Sequence, residues 1–316
     1  MKIVLDLTKL VAEGKLTAVQ AEELKLLAAR DTGFLAINIL MAFGTIAVAA
    51  GVLFLLPSLI TSTALAVILL AGGLLVSYRA GPHWAFLGSA IVVIGALWLA
   101  GSVGSLLDGH WSGFALAAAI LMGCAIAIRS SLLSALATFA LAAALGSSTG
   151  YETATYILIV REPTVTIFCF GLLAWVAYLA AQRVPAAYEP LGLAFSRVSL
   201  IMVNFGFWVG SLWGDDPGKS WLPHEAAAPP HVPDYAFVIL WTLALIGVGV
   251  WAARANRRFV VNTAAAFAAI DFYTQWFERL GAEPISITIG GLIVIAIAFG
   301  LWRYNLTTTR DAKAAA

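Results

Sequence analysis

Charge is scarce in this sequence: charged side chains make up only 11% of its 316 residues, against 61% hydrophobic. A water-soluble domain carries roughly 25% charged residues to cover its surface. With a mean hydropathy of +0.93, the chain lacks the polar side chains to do this, and a soluble fold is excluded. Alternation of apolar and polar residues is missing too. The apolar runs are apolar all round, which excludes an outer-membrane barrel and leaves an all-α bundle solvated by lipid.

Other absences narrow the function. There are two cysteines, Cys124 and Cys169, both inside apolar runs, so neither a disulfide framework nor a zinc site is expected. The net charge is +1, and basic residues come in ones, twos and threes, which gives a nucleic-acid partner no surface to bind. No HExxH, GxSxG, phosphate-binding glycine loop or dinucleotide fingerprint occurs, so no cofactor and no metal are expected. The first 30 residues contain Lys2, Asp6, Lys9, Glu13, Lys15, Glu22, Glu23, Lys25 and Arg30. That leaves no continuous apolar stretch for a cleaved signal peptide, and the first span, from about Phe34, is expected to insert the chain.

What is present is a series of apolar runs bounded by charge, Pro or Gly. Ten spans are expected, at about 34–56, 59–78, 84–106, 112–128, 131–147, 164–182, 196–213, 235–253, 258–277 and 284–303. Arg129 and Ser130 leave little between the fourth and fifth, which predicts a tight antiparallel pair. With ten spans and the N-terminus inside, fifteen of the 18 Lys and Arg fall on the inner side. Only Arg161, Lys219 and Arg279 fall outside. This asymmetry places both termini of a multi-pass protein in the cytosol. Ten spans divide as five plus five, compatible with inverted halves, although no residue-level repeat is visible.

The chain then divides into residues 1–32, a cytosolic amphipathic helical hairpin; 33–304, the bundle; and 305–316, a cytosolic tail. In the hairpin, Leu5, Leu7, Leu10 and Val11 form an apolar stripe that stops at Gly14. Thr17 to Gln20 then has the form of a capping box that opens a second helix bearing Leu24 and Leu27. A docking role toward a protein partner through residues 1–30 suits such a hairpin. On the outer side, 147–163 and the five-proline stretch from Gly214 to Asp234 are expected as loops.

One acid stands out. In RRFVVNTAAAFAAIDFYTQWFE, Arg257 to Glu278, Asp271 lies roughly 20 Å from the basic end, inside a hydrocarbon core about 30 Å thick. An ionisable group at that depth faces a protein interior or a wet cavity and marks a solute or ion pathway. A structural alternative pairs it with Arg279 or Arg161 near the outer headgroups. Asp271, Thr274, Gln275 and Glu278 share one face of the ninth span, and Asn262, Tyr273 and Trp276 lie roughly opposite. The candidate pathway residues are Asp271, Gln275, Tyr273, Asn262, Asn204 and Asn38, the two last serving alternatively as hydrogen-bonding glue between helices. Gly206, Gly210 and Gly214, spaced by four, predict close helix packing on the seventh span. Trp residues near the span ends suit an aromatic belt.

The stretch LTKLVAEGKLTAVQAEEL, residues 7–24, followed at once by many spans, resembles bacterial membrane proteins of domain-of-unknown-function family 2157. That resemblance implies an inner-membrane protein and brings no catalytic residues. Ten short helices with both ends inside are similar in topology to drug/metabolite transporters. The expected function is movement of a small solute or ion. The alternative is a non-transporting scaffold or sensor that binds a partner through the hairpin. An enzyme using Asp215, Asp216, His224 or Glu225 on a lipid-linked substrate is a third reading and the least supported by motif.

Overall fold

The computed structural model describes residues 10–11, 14–152, 155–218, 230–280 and 283–314. In order these form α1 (Ala18–Leu55), α2 (Leu59–Arg79), a short 3-10 turn (Pro82–Trp84), α3 (Ala85–Leu106), α4 (Trp111–Ile128) and α5 (Ser131–Ala144). Then come β1 (Ser147–Glu152), β2 (Thr155–Val160), α6 (Pro163–Ala181), α7 (Glu189–Trp213), α8 (Asp234–Arg254), α9 (Arg258–Leu280) and α10 (Pro284–Ala314). Among the described residues, seven of these helices are long and apolar enough to cross a membrane: α2, α3, α4, α6, α7, α8 and the second half of α1, Ile37–Leu55. The chain is a multi-pass helical membrane protein.

The three other expected spans differ for separate reasons. Helix α5 has 14 residues, and the apolar part of α10 is confined to Pro284–Gly300. Helix α9 has 23 residues, but Asn262, Asp271 and Gln275 make it less apolar than the seven. Two of the expected boundaries fall inside helices. Helix α1 is continuous through the expected division at 32/33, because nothing between the capped start and Leu55 breaks a helix. Helix α10 likewise continues through 305 to Ala314. The expected loop at 147–163 is instead an antiparallel hairpin, Ser147 pairing with Val160 and Glu152 with Thr155. Tyr156 to Val160 is β-branched and aromatic, the composition that favours a strand, and this hairpin is the departure from an all-α chain.

Local signals act as their chemistry requires. Thr17 accepts from the Gln20 backbone N–H at 3.2 Å while the Gln20 side chain accepts from the Thr17 N–H at 3.0 Å, closing the capping box. Gly14, at φ 69°, turns the chain just before it. The first hairpin helix lies almost wholly outside the described residues. The α4–α5 link is short because Arg129 adopts the left-handed conformation, φ 54°, while Ser130 Oγ caps α5 at the Leu133 N–H, 3.3 Å, but the two helices do not pack along each other as the expected tight antiparallel pair.

The chain forms two compact units, residues 1–137 and 138–316, the division falling within α5. In the first, α2 and α3 are pressed together at glycines. A Cβ added at Gly95 would stand 2.6 Å from the Leu70 backbone nitrogen, and at Gly88 2.7 Å from that of Ser77. Ala42 and Ala49 of α1 meet Leu69, Leu87 and Ile91 in the core, and Trp98 donates to Ser62 Oγ at 2.8 Å. In the second unit, α6 packs on α7, α7 on α8, α8 on α9 and α9 on α10. Its core centres on Trp241, Leu245, Ala264 and Phe267.

The contacts of Gly95 generate a stability contrast. Gly95→Ala must displace backbone and is expected to destabilise the protein by about 1–3 kcal/mol. Gly101→Ala, where nothing lies within 4 Å of the added Cβ, is expected to be neutral or mildly stabilising. Thermal unfolding of the two detergent-solubilised variants checks this, and equal melting temperatures would contradict it.

Candidate functional site

The site is built on α8 and α9. Asp271 lies midway along α9 and is buried, with 6% exposure. Its Oδ2 accepts from the Thr242 hydroxyl at 2.9 Å. Thr242 is the ninth residue of the 21-residue α8, about 12 Å from that helix's start. This contact therefore sets Asp271 opposite the middle of α8 and away from its ends.

Thr242 has a second neighbour. Its Oγ1 lies 2.8 Å from the Val238 carbonyl oxygen one turn earlier, and a hydroxyl has one proton to give. Two arrangements follow. Either Thr242 donates to an ionised Asp271, or it donates to Val238 and accepts a hydrogen bond from a protonated Asp271.

Three polar atoms here are buried without a hydrogen-bond partner among the described residues: Asp271 Oδ1, Gln275 Nε2 and Trp276 Nε1. An unpaired buried polar atom costs about 1–3 kcal/mol. All three residues line one pocket of about 640 Å³, whose other walls are Val238, Thr242, Leu245, Ile246, Ala268 and Phe272. The arrangement places one acceptor and two donor atoms, each covered by protein, beside an otherwise apolar pocket wall.

The other expected pathway residues separate from this cluster. Tyr273 lies against Gly290 and Gly291 of α10, as its 200° rotation from Asp271 requires. Thr274, expected on the acid face, turns instead to α7 and accepts from Trp208 Nε1 at 3.0 Å. Asn262 is exposed and lies nine residues, about 13 Å, down the helix. Asn204 accepts from Trp241 Nε1 at 3.0 Å and donates to Leu200 O at 2.8 Å, which ties α7 to α8. Asn38 belongs to the first unit, where it donates to His83 O at 2.8 Å. Of the six, the structure brings Asp271 and Gln275 together.

The glycines of α7 also divide. A Cβ at Gly206 would meet Ile167 of α6 at 2.9 Å, and one at Gly210 would meet Phe237 of α8 at 2.4 Å. Gly214, at φ 68°, caps the helix, and a Cβ there would stand 2.7 Å from the Val232 carbonyl oxygen and 3.3 Å from the Asp234 nitrogen at the start of α8. Thr242 was not singled out by sequence reasoning. The available signal was a hydroxyl in the middle of the otherwise apolar VILWTLALIG.

Of the two cationic partners expected for Asp271, one is described. The Arg161 side chain covers Gly146, and the side chain of Arg279 lies outside the described residues. Asp215 Oδ2 accepts from the Thr164 N–H at 2.7 Å and Glu162 Oε2 from the Gly218 N–H at 2.8 Å. These carboxylates hold the 214–218 segment on the start of α6. Asp216 pairs with His231 at 2.8 Å, while His224 and Glu225 lie outside the described residues.

The Asn204–Trp241 bond generates a second contrast. Trp241→Phe keeps the ring and removes the donor, leaving a buried amide oxygen unpaired at an expected cost of about 0.5–2 kcal/mol. Combining it with Asn204→Leu is expected to cost less than the two single effects together. Detergent-titrated unfolding of the four-member mutant cycle measures the coupling, and strict additivity would remove the bond from the account. A comparison of the chain with protein families, with curated proteins and with solved structures finds no match.

Proposed function

We propose that this chain moves a small solute or ion across a bacterial inner membrane, with Asp271 as the group that exchanges a proton or binds the moving species. The observation that carries this reading is the buried Asp271 carboxyl facing a hydroxyl with two alternative acceptors. A carboxyl in apolar surroundings avoids the cost of naked charge by keeping a proton, taking a cation or holding a ligand. Thr242 accommodates both the charged and the neutral form without moving its helix.

In this reading α5, α9 and α10 join the seven apolar helices as spans, giving ten with both termini in the cytosol. The polar content that makes α9 less apolar is then tolerated because it faces α8 and the pocket. Arg197 over the Phe259 ring at 5.0 Å and Arg257 over Tyr178 at 5.6 Å gather cations at one end of α6, α7 and α9, as a cytosolic face requires. The likeness of the N-terminal region to family 2157 brings no residue that alters the assignment.

A second reading, a scaffold or sensor, draws on α1. Its capped first half precedes the apolar half and exposes Val19 at 77% and Leu24 at 40%, a surface that suits a protein partner. Co-purification of a stoichiometric partner that is lost on deleting residues 1–30 would favour it.

The transport reading is tested in proteoliposomes carrying an imposed pH gradient and an entrapped pH-sensitive dye. The wild-type chain is expected to collapse the gradient, and Asp271→Asn to slow this by about tenfold or more, the scale of a lost coupling of about 1.4 kcal/mol. In parallel, a hydrophobic carbodiimide, which attacks protonated carboxyls, is expected to label Asp271 less as pH rises. Undiminished collapse by the Asn variant would rule out Asp271 as the coupling group.

A further inference from the structure

We infer that the Asp271 pocket selects an organic ammonium with an apolar body, held by its cationic nitrogen at Asp271 and by its body against Phe272 and Trp276. The inference rests on the reading above that this pocket takes a ligand, and it names the ligand's chemistry.

Size is the first argument. A pocket of about 640 Å³ is far larger than the volume of about 30 Å³ that one water occupies, and it falls in the range typical of sites for small organic molecules. Its walls are the second. Val238, Leu245, Ile246, Ala268 and Phe272 offer hydrocarbon and few polar partners. A sugar or another many-hydroxyl solute would leave most of its groups unpaired against such walls.

Charge is the third argument. The one acidic group in the lining is a carboxyl, 94% buried and unpartnered at Oδ1 among the described residues. An anion would meet it with repulsion. A bare divalent cation prefers six or more oxygens, whereas the three N–H groups of a primary ammonium can be shared among the Asp271 carboxyl, the polar oxygens of Thr242 and Gln275 and the aromatic faces. Phe272 and Trp276 supply those faces, with ring centroids 5.0 Å apart and planes inclined at 45°, and a cation near such rings is further stabilised. The unpaired Gln275 and Trp276 N–H groups can satisfy an ether or hydroxyl oxygen on the same molecule.

The test uses the full chain in phosphatidylcholine nanodiscs, with empty nanodiscs subtracted. Binding of phenethylammonium is compared with that of its neutral near-isostere, phenethyl alcohol, by titration calorimetry. The ammonium is expected to bind about tenfold more tightly than the alcohol, the differential of one buried charge contact. Asp271→Asn is expected to remove that advantage while leaving alcohol binding unchanged, which also shows that the variant is folded. Phe272→Leu is expected to weaken the ammonium more than the alcohol.

Equal affinity for the two compounds, or ammonium binding retained in Asp271→Asn, would overturn the inference. So would native mass spectrometry that finds a phospholipid in the pocket that phenethylammonium does not displace. Gradient collapse that needs Asp271 without any ammonium binding overturns the ligand class alone and leaves the transport reading standing. Ammonium binding without gradient collapse does the reverse.

Discussion

Lipid offers no hydrogen-bond partner, and this constraint organises the second unit around the contact between Thr242 and Asp271. With α9 as a span, the proposal made above, a carboxylate at its centre costs about 2.5–3.5 kcal/mol on insertion scales, enough to matter in a fold stabilised by only about 5–15 kcal/mol. The side chain must therefore face another helix. Helix α8 meets it with a hydroxyl at 2.9 Å, which sets the rotation of α9 and its register along α8 together. Its polar neighbours on α9 then take the directions that rotation imposes: Tyr273 toward α10, Thr274 toward α7, Gln275 beside the acid.

The contact is reinforced from α7. Three attachments fix α8 and α9 against it: Gly210 under Phe237, Asn204 to Trp241, and Trp208 to Thr274. Without a hydrophobic drive between helices in lipid, close approach at glycine and hydrogen bonds between helices supply the specificity. The pocket walls are thus held by groups that do not themselves line the pocket beside Asp271. The first unit uses the same means more heavily, with Gly73, Gly88 and Gly95 bringing the α2 and α3 backbones together. A serine and a tryptophan add the polar link there.

Much of this was legible in the sequence, and the limits have physical causes. Mean hydropathy identifies a lipid-solvated helical chain because apolar runs of span length have few other uses. Turn chemistry located the capping box at Thr17 and the tight link at Arg129 and Ser130. The strand hairpin at 147–160 was missed because its β-branched and aromatic residues directly follow an apolar run and read as a connector. For the site, Asp271 and Gln275 could be joined by helical spacing alone, since one element carries both. Thr242 could not, because its role depends on which of several apolar helices packs against α9, and nothing local encodes that. Tyr273 shows the reverse error: proximity in sequence suggested a partner for Asp271 although the helical angle already put it on another face.

The position of Thr242 also bears on how a protonation change is transmitted. The Val238 carbonyl that competes for its hydroxyl is the i−4 oxygen of the same helix, the usual acceptor for a threonine folded back on its own backbone. That carbonyl is also the regular partner of the Thr242 backbone N–H in an α-helix. Turning the hydroxyl toward Asp271 therefore removes a supplementary bond and leaves the helical one in place. Turning it back requires Asp271 to supply the proton between them, since two acceptor oxygens cannot face each other at 2.9 Å without one. The turned-back hydroxyl therefore goes with a neutral Asp271 that carries its proton on Oδ2. Because the change is a rotation about a single side-chain bond, α8 can accommodate either protonation state of the acid while the packing at Gly210, Asn204 and Trp208 stays as it is.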